Sequence, residues 1–394
     1  MGQEKILKKM TQDDVNLVVE KQQNGLEINF INSDLSGLDL SGRKFENVNF
    51  EDCNLSGVNF SGTSIKQGKF KNGLLIGGNF EKADLSSVDF TGCAMQKVNL
   101  SHVRIEGVGI KESNLANASL KSANVEFSNL NVFKDVNLSD SDLSGAKISW
   151  FYGDNVNFRN ANFSDASILE SQIKNSRFTN ATLENAELYS VVFMDCAMEE
   201  SVLAKAKITN VTFEKSALEN ADFKQSEIEY GNFVDSNLDG VDFRGVTLNS
   251  LNEFRNVSLI AADFSEAKFS DESKLYDAEL VDVKGLENSH WRDTAKEQDD
   301  AVEVSQQNKK NSPVEEYQYH LNLFVARSVG SEVNAEVDCK IAQTMLERGY
   351  STQSIESAIA LHSPNAQKVN KQVGVYAMNV VKRAKKENKK HKLF

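Results

Sequence analysis

The side chains best equipped for chemistry are few and scattered. Five histidines (His102, His290, His320, His362 and His391) lie far apart, and none belongs to the HExxH spacing that would set two imidazoles on one helix face for zinc. His102 and His362 are the two that a carboxylate could meet, but solvated polar histidines are the simpler reading. Four cysteines (Cys53, Cys93, Cys196 and Cys339) form no CxxC pair, so neither a zinc site, a redox dithiol nor a disulfide framework is indicated. No GxxxxGK[ST] phosphate loop, GxGxxG fingerprint or GxSxG nucleophile turn occurs. The expectation is a chain that is not an enzyme and carries no cofactor.

Two groups of residues could instead bind something. Trp150-Phe151-Tyr152 sets three aromatics side by side, and aromatics dominate the contacts that carry interface energy. Near the C-terminus, Lys382, Arg383, Lys385, Lys386, Lys389, Lys390 and Lys392 form a basic tail, which either frays in solvent or touches an acidic surface or nucleic acid. Charge is split along the chain. Residues 315–394 hold 12 Lys/Arg against 8 Asp/Glu, so with a net charge of −13 overall the first 314 residues carry −17. That balance argues against a nucleic-acid binder, except through the tail. No stretch approaches the ~18–20 apolar residues of a membrane span. The N-terminus lacks an apolar signal core, and Ile6 stands where a myristoylation signal has Ser or Thr, so a cytoplasmic protein is expected.

The elements that must position these residues follow from a period of five. From Phe30 every fifth residue is large and apolar (Leu35, Leu40, Phe45, Phe50, Leu55, Phe60) as far as Leu130. The series resumes three residues later at Phe133 and continues to Leu248, then with one-residue slips through Phe254–Phe269 and on to Leu275 and Leu280. Gly153 is the one member that is not apolar, and most of the 23 phenylalanines fall in this slot. Two residues earlier sits a small residue (Ala83, Val88, Cys93, Ala161, Ala221), with Asn or Asp often between (Asp84, Asn99, Asn162, Asp242). Five matches neither a helix nor an alternating strand. It requires a turn in every unit, with the large and small residues inward and the other three outward, and coils that pair backbone to backbone. Cys53, Cys93 and Cys196 take the small inward slot, which makes them packing residues.

Units such as Ala83-Asp84-Leu85-Ser86-Ser87 and Ala161-Asn162-Phe163-Ser164-Asp165 resemble the A(D/N)Lxx motif of the pentapeptide-repeat family, and residues 26–282 follow it. The resemblance implies an all-β solenoid: a right-handed quadrilateral parallel β-helix, four units per coil, about 13 coils and roughly 60 Å long at the ~4.8 Å spacing of paired strands. Residues twenty apart should stack, so that Phe30, Phe50, Phe70 and Phe90 form one aromatic column.

Open solenoid ends need covers. Residues 1–25 hold one, a capping helix over 11–24 with Thr11 and Asp14 as a capping box and Val15, Val18 and Val19 facing the core. At the far end Val283, Leu286 and Trp291 could close the last coil of a repeat domain spanning 26–292. A polar linker at 293–314 then leads to a helical domain with basic tail at 315–394. Its first helix starts at Ser331 and ends at Gly349, with Val333, Val337, Ile341 and Met345 on one face. The region 338–384 resembles helical segments appended to plasmid relaxases and primases.

Within the repeat, the break at Trp150-Phe151-Tyr152-Gly153 is the main irregularity, because Phe151 takes the small slot and Gly153 the large one. Either the aromatics bulge outward as a contact site, or Trp150 or Phe151 turns inward to fill the space Gly153 leaves. The function expected is a protein-binding scaffold with an acidic β-helical surface, whose partner the sequence does not name and which could include a second copy of the chain. The alternative follows from the resemblance: quinolone-resistance members of the family are thought to imitate duplex DNA and bind type II topoisomerases, so DNA gyrase or topoisomerase IV is the alternative partner.

Overall fold

The computed structural model describes residues 7–21, 27–126, 132–286, 289, 291, 335–347, 352, 355, 359 and 377–385. The expected linker at 293–314 lies outside these residues. Two compact units divide the chain, Met1–Asp300 and Ala301–Phe394.

The first unit is a right-handed parallel β-solenoid with four faces. One face is a 13-stranded sheet running from Ile28–Ile31 to Lys274–Tyr276, and another is a 12-stranded sheet from Lys44–Glu46 to Lys268–Phe269. The two faces between them are joined by single parallel bridges, one column passing Asn54↔Leu74↔Ala94 and the other Asn59↔Asn79↔Asn99. Successive rungs pair residues twenty apart, Phe50 with Phe70 and Phe70 with Phe90.

The corner between faces is what makes five residues a repeat. Two positions after nearly every large residue of the described solenoid the backbone is left-handed: Asn175, Asn180, Asn185 and Ser190, one coil's corners, have φ of 51, 59, 57 and 53°. Such a conformation costs a non-glycine residue roughly 1–2 kcal/mol. A ladder bond offsets the cost, since the corner N–H of Asn175, Asn180 and Asn185 each donates to the next coil, to the carbonyls of Met194, Glu199 and Ala204, at 3.0 Å each. The Asn or Asp before the large residue has its own task. On the bridge faces its side chain accepts the N–H two residues on (Asn54 from Ser56, Asn59 from Ser61, 3.1 Å). Its amide then donates to the residue one coil below, as Asn79 does to Asn59 and Asn99 to Asn79.

Inside, the large residues stack. Phe30, Phe50, Phe70 and Phe90 form the expected column, with ring centroids 5.0, 4.8 and 4.7 Å apart. Cys53, Cys93 and Cys196 are buried in the small slot and unpaired. The one-residue slip before Phe254 is absorbed by Asn252, which is fully buried. Its amide donates to the Asn249 carbonyl (2.8 Å) and its Oδ1 accepts the Gly231 N–H (2.8 Å). The slip before Phe133 lies outside the described residues.

Both ends are covered. Helix α1 (Gln12–Lys21) begins at the capping box, where the Thr11 N–H donates to Asp14 at 2.8 Å and the Asp14 N–H to Thr11 at 3.2 Å. It is shorter than the expected 11–24, and residues 22–26 lie outside the described residues. Val15 is fully buried against the first coil, with Val18 and Val19 half-buried beside it. At the other end Trp291 is fully buried, 4.8 to 5.8 Å from the rings of Phe254, Phe264 and Phe269.

The second unit has its own apolar core. Helix α2 (Ala335–Glu347) contributes Cys339, Ile341, Ala342 and Met345, and Ile355, Ile359, Val380 and Val381 join them. Ser331 and Gly349, the expected bounds of the first helix, lie outside the described residues.

Candidate partner-binding surface

The structure separates the three aromatics at the repeat's defect. Phe151 is 6% exposed and turns inward. Its ring packs edge-on to Phe133 (5.2 Å) and Phe158 (6.3 Å) and lies over Gly153, where a Cβ would sit 2.9 Å from Phe151 Cε1. The large side chain that the repeat demands is thus delivered from the small slot two residues early. Phe151 as a surface contact is therefore corrected: it is core. The substitution is not quite volume-matched, and a wholly apolar cavity of about 20 Å³ remains among Leu120, Val125, Leu138, Phe151 and Phe158.

Trp150 stays outside. It occupies a left-handed corner (φ 53°), is 53% exposed, and donates its indole N–H to Glu170 one coil on. Tyr152, on the next face, is half-buried, with Lys174 Nζ 5.2 Å from its ring centre.

Two further aromatics belong with Trp150 and were missed in the sequence. Along the 12-stranded face, Ser149 pairs with Leu169, Leu169 with Tyr189, Tyr189 with Thr209 and Thr209 with Glu229. Tyr189 therefore stands two coils from Trp150, and Tyr230, at its own left-handed corner, two coils further. They are 47% and 48% exposed. Among the described residues the exposed aromatic side chains are these three, and all lie along one corner of the solenoid. Folding the sequence modulo twenty sets Trp150 and Tyr230 in one column and Tyr189 in the column beside it.

The remaining surface is mostly polar, with Ile31, Leu74, Ile76 and Val281 as exposed aliphatic side chains, and some of its carboxylates are held in ion pairs. Glu51 pairs with Lys71, Arg104 with Asp84 and Glu106, and Glu184 with Lys205. Lys224 bridges Asp222 and Asp242, which also binds Arg244. Partial burial works against the Asp242 carboxylate, but hydrogen bonds from Arg244 and Lys224 hold it down at about 2. Desolvation pushes the Cys196 thiol up to about 12, and raises those of Cys53 and Cys93 as well. His102 is an exposed corner residue, and the other four histidines lie outside the described residues. Among the described residues no group of His, Cys, Asp or Glu could hold a metal ion, and no helix is long and apolar enough to cross a membrane.

In the second unit Lys382, Arg383 and Lys385 are exposed on a helical stretch, 377–385, whose Ala377, Val380, Val381 and Ala384 are buried. Lys386, Lys389, Lys390 and Lys392 lie outside the described residues.

Comparison with known proteins agrees with the architecture. Residues 27–100 and 154–223 match a pentapeptide repeat region, and residues 206–249 match eight copies of the pentapeptide repeat. Residues 334–384 match the RepB DNA-primase C-terminal helical domain. No curated protein matches the chain. Among solved structures, similar chains include HetL, a pentapeptide repeat protein involved in heterocyst differentiation regulation from Nostoc sp. strain PCC 7120. It is 16% identical, over 68% of this chain and 92% of that one, with a TM-score of 0.21. Full-length QnrB1, a plasmid-mediated fluoroquinolone resistance protein, is 19% identical over 57% and 92%, with a TM-score of 0.22. The A-module of the Azotobacter vinelandii mannuronan C-5 epimerase AlgE4 is 12% identical over 70% and 91%, with a TM-score of 0.32. None of these three likenesses bears on function. The five-residue register, the four ladders it builds and the matches over residues 27–100 and 154–249 agree that this part of the chain is a solenoid of pentapeptide repeats.

Proposed function

We propose that the chain is a non-enzymatic, protein-binding scaffold: a stiff rod that presents one corner to a protein partner and carries a helical unit as a second contact. The observation that supports this reading is the gathering of the exposed aromatic side chains among the described residues, Trp150, Tyr189 and Tyr230, along one corner of the solenoid. A scattered exposed aromatic needs no explanation, but three in line on a rigid backbone form a preorganised patch. The likeness of residues 334–384 to a DNA-primase helical domain supports a partner in DNA replication, with Lys382 and Lys385 exposed toward an acidic surface. Four buried cysteines, none of them in a disulfide, suit a reducing compartment, and we propose the cytoplasm as the chain's location.

The acidity of the first 314 residues favours a second reading, mimicry of DNA toward a type II topoisomerase. A mimic needs rows of uncompensated carboxylates where phosphates would lie. Here many carboxylates alternate with cations, as in the run Asp222, Lys224, Asp242, Arg244. The test is a gyrase supercoiling assay with the protein titrated to micromolar levels at two salt concentrations. The scaffold reading expects no inhibition. Salt-sensitive inhibition relieved by excess DNA would replace it with mimicry.

A further inference from the structure

The aromatic corner has a chemistry of its own. Trp150, Tyr189 and Tyr230 recur every second coil, so their spacing is roughly 10 Å at the ~4.8 Å rise of a paired-strand stack. Carboxylates stand among them. Glu170 accepts the indole N–H of Trp150 and so fixes that ring's orientation. Glu187 shares a strand with Tyr189, and Glu227 and Glu229 lead into Tyr230. Glu170, Glu187 and Glu227 are exposed, and among the described residues none of the four carboxylates is held in an ion pair. Opposed to these four carboxylates on the same strip are two cations, Lys147 and Lys207.

Elsewhere the solenoid supplies its own cations to half-buried tyrosines. Lys174 lies over Tyr152 and Arg255 over Tyr276, 5.2 and 4.7 Å from the ring centres. Among the described residues no cation lies over Trp150, Tyr189 or Tyr230. This corner thus repeats a pairing the fold uses twice, with the cationic half left out.

We propose that the corner is a docking strip for an arginine-rich segment of a partner protein. The proposal rests on the scaffold reading and names the partner's chemistry. Guanidinium groups stack on the three rings while the neighbouring carboxylates take their N–H groups, a combination that favours Arg over Lys because the planar cation both stacks and forks. A segment in the polyproline II conformation rises ~3.1 Å per residue and returns to the same face every third residue, so an arginine at every third position matches the ~10 Å interval of the rings.

The probe is a peptide of four Arg-Gly-Gly repeats, compared with the Lys-Gly-Gly and Glu-Gly-Gly peptides of equal length. Of the two tryptophans, Trp291 is fully buried, so quenching of the exposed Trp150 reports binding, with labelled-peptide anisotropy as an independent readout. The variant Trp150→Asn/Tyr189→Thr/Tyr230→Asn brings in residue types that the same columns already hold at Asn210 and Thr209, and Asn suits the left-handed corners. An unchanged melting curve would show that it folds. Expected is Arg-peptide binding at least fivefold tighter than Lys, none for Glu, and at least a tenfold loss in the triple variant.

Equal binding of the Arg peptide by wild type and triple variant would reduce the effect to bulk acidity and overturn the proposal. A wild type that ignores the Arg peptide, yet captures a protein through the same three rings, would overturn the cationic assignment and leave the scaffold reading intact. Retention of the wild type, but not the variant, on an insoluble β-1,4-linked glucan would reassign the strip to sugar.

Discussion

At the scale of single residues, the exchange at Phe151 and Gly153 shows how far a repeat tolerates disorder in its own rules. Composition made the break visible, but two outcomes were open because a sequence does not say which way a backbone presents a misplaced ring. Packing decided: the column between Phe133 and Ile173 needs a large side chain, and Phe151 reaches it. Phe151→Ala should therefore cost about 3–5 kcal/mol in denaturant unfolding. Adding Gly153→Phe, which restores the regular unit, should recover most of that loss. An unchanged midpoint in the single variant would show that the ring is not core.

Cys196 offers a pH test of the same interior. Its native thiol is pushed up to about 12 from an ordinary 9.0 by burial, so between those values the folded chain keeps a proton that the unfolded chain gives up. Stability should then fall as pH rises through that window, and Cys196→Ala should flatten the slope. Thiol reagents should leave Cys53, Cys93 and Cys196 unlabelled until the chain unfolds, and rapid labelling of native protein would contradict the inward slot.

At the scale of the element, the inward pattern was legible and the corner was not. The large and small slots announce themselves by residue type, because burial tolerates few alternatives. The left-handed position accepts Gly57, Asn180, Asp195, Lys205 and even Trp150, since its side chain points to solvent and its conformation is enforced by the ladder bond to the next coil. Asn185→Val should expose that hidden constraint, as a β-branched residue at φ 57° costs about 1–2 kcal/mol. Asn185→Gly should be neutral or slightly stabilising by the same melting measurement. Equal effects from the two substitutions would mean that the corner does not set the repeat. The capping elements were readable for the opposite reason: Thr11 with Asp14, and Trp291 beyond the last repeat, break the period where a solenoid end must be closed.

At the scale of the whole molecule, the fold could be read almost entirely from one register, whereas the binding surface required three dimensions. Trp150 was flagged because it sits at a defect. Tyr189 and Tyr230 sit in regular units and become neighbours of Trp150 only when coils are stacked. The central claim is that binding runs through that corner and not through the chain's overall acidity. Affinity capture from cell extract tests it directly, with the wild-type chain and the Trp150→Asn/Tyr189→Thr/Tyr230→Asn variant as baits, washed at 0.1 and 0.5 M salt. Contacts to desolvated rings persist where exposed ion pairs are screened. The account predicts a protein retained by the wild type at both salt concentrations and absent from the variant. The same proteins on both baits, or complete release of the wild type's partners at 0.5 M salt, would contradict it.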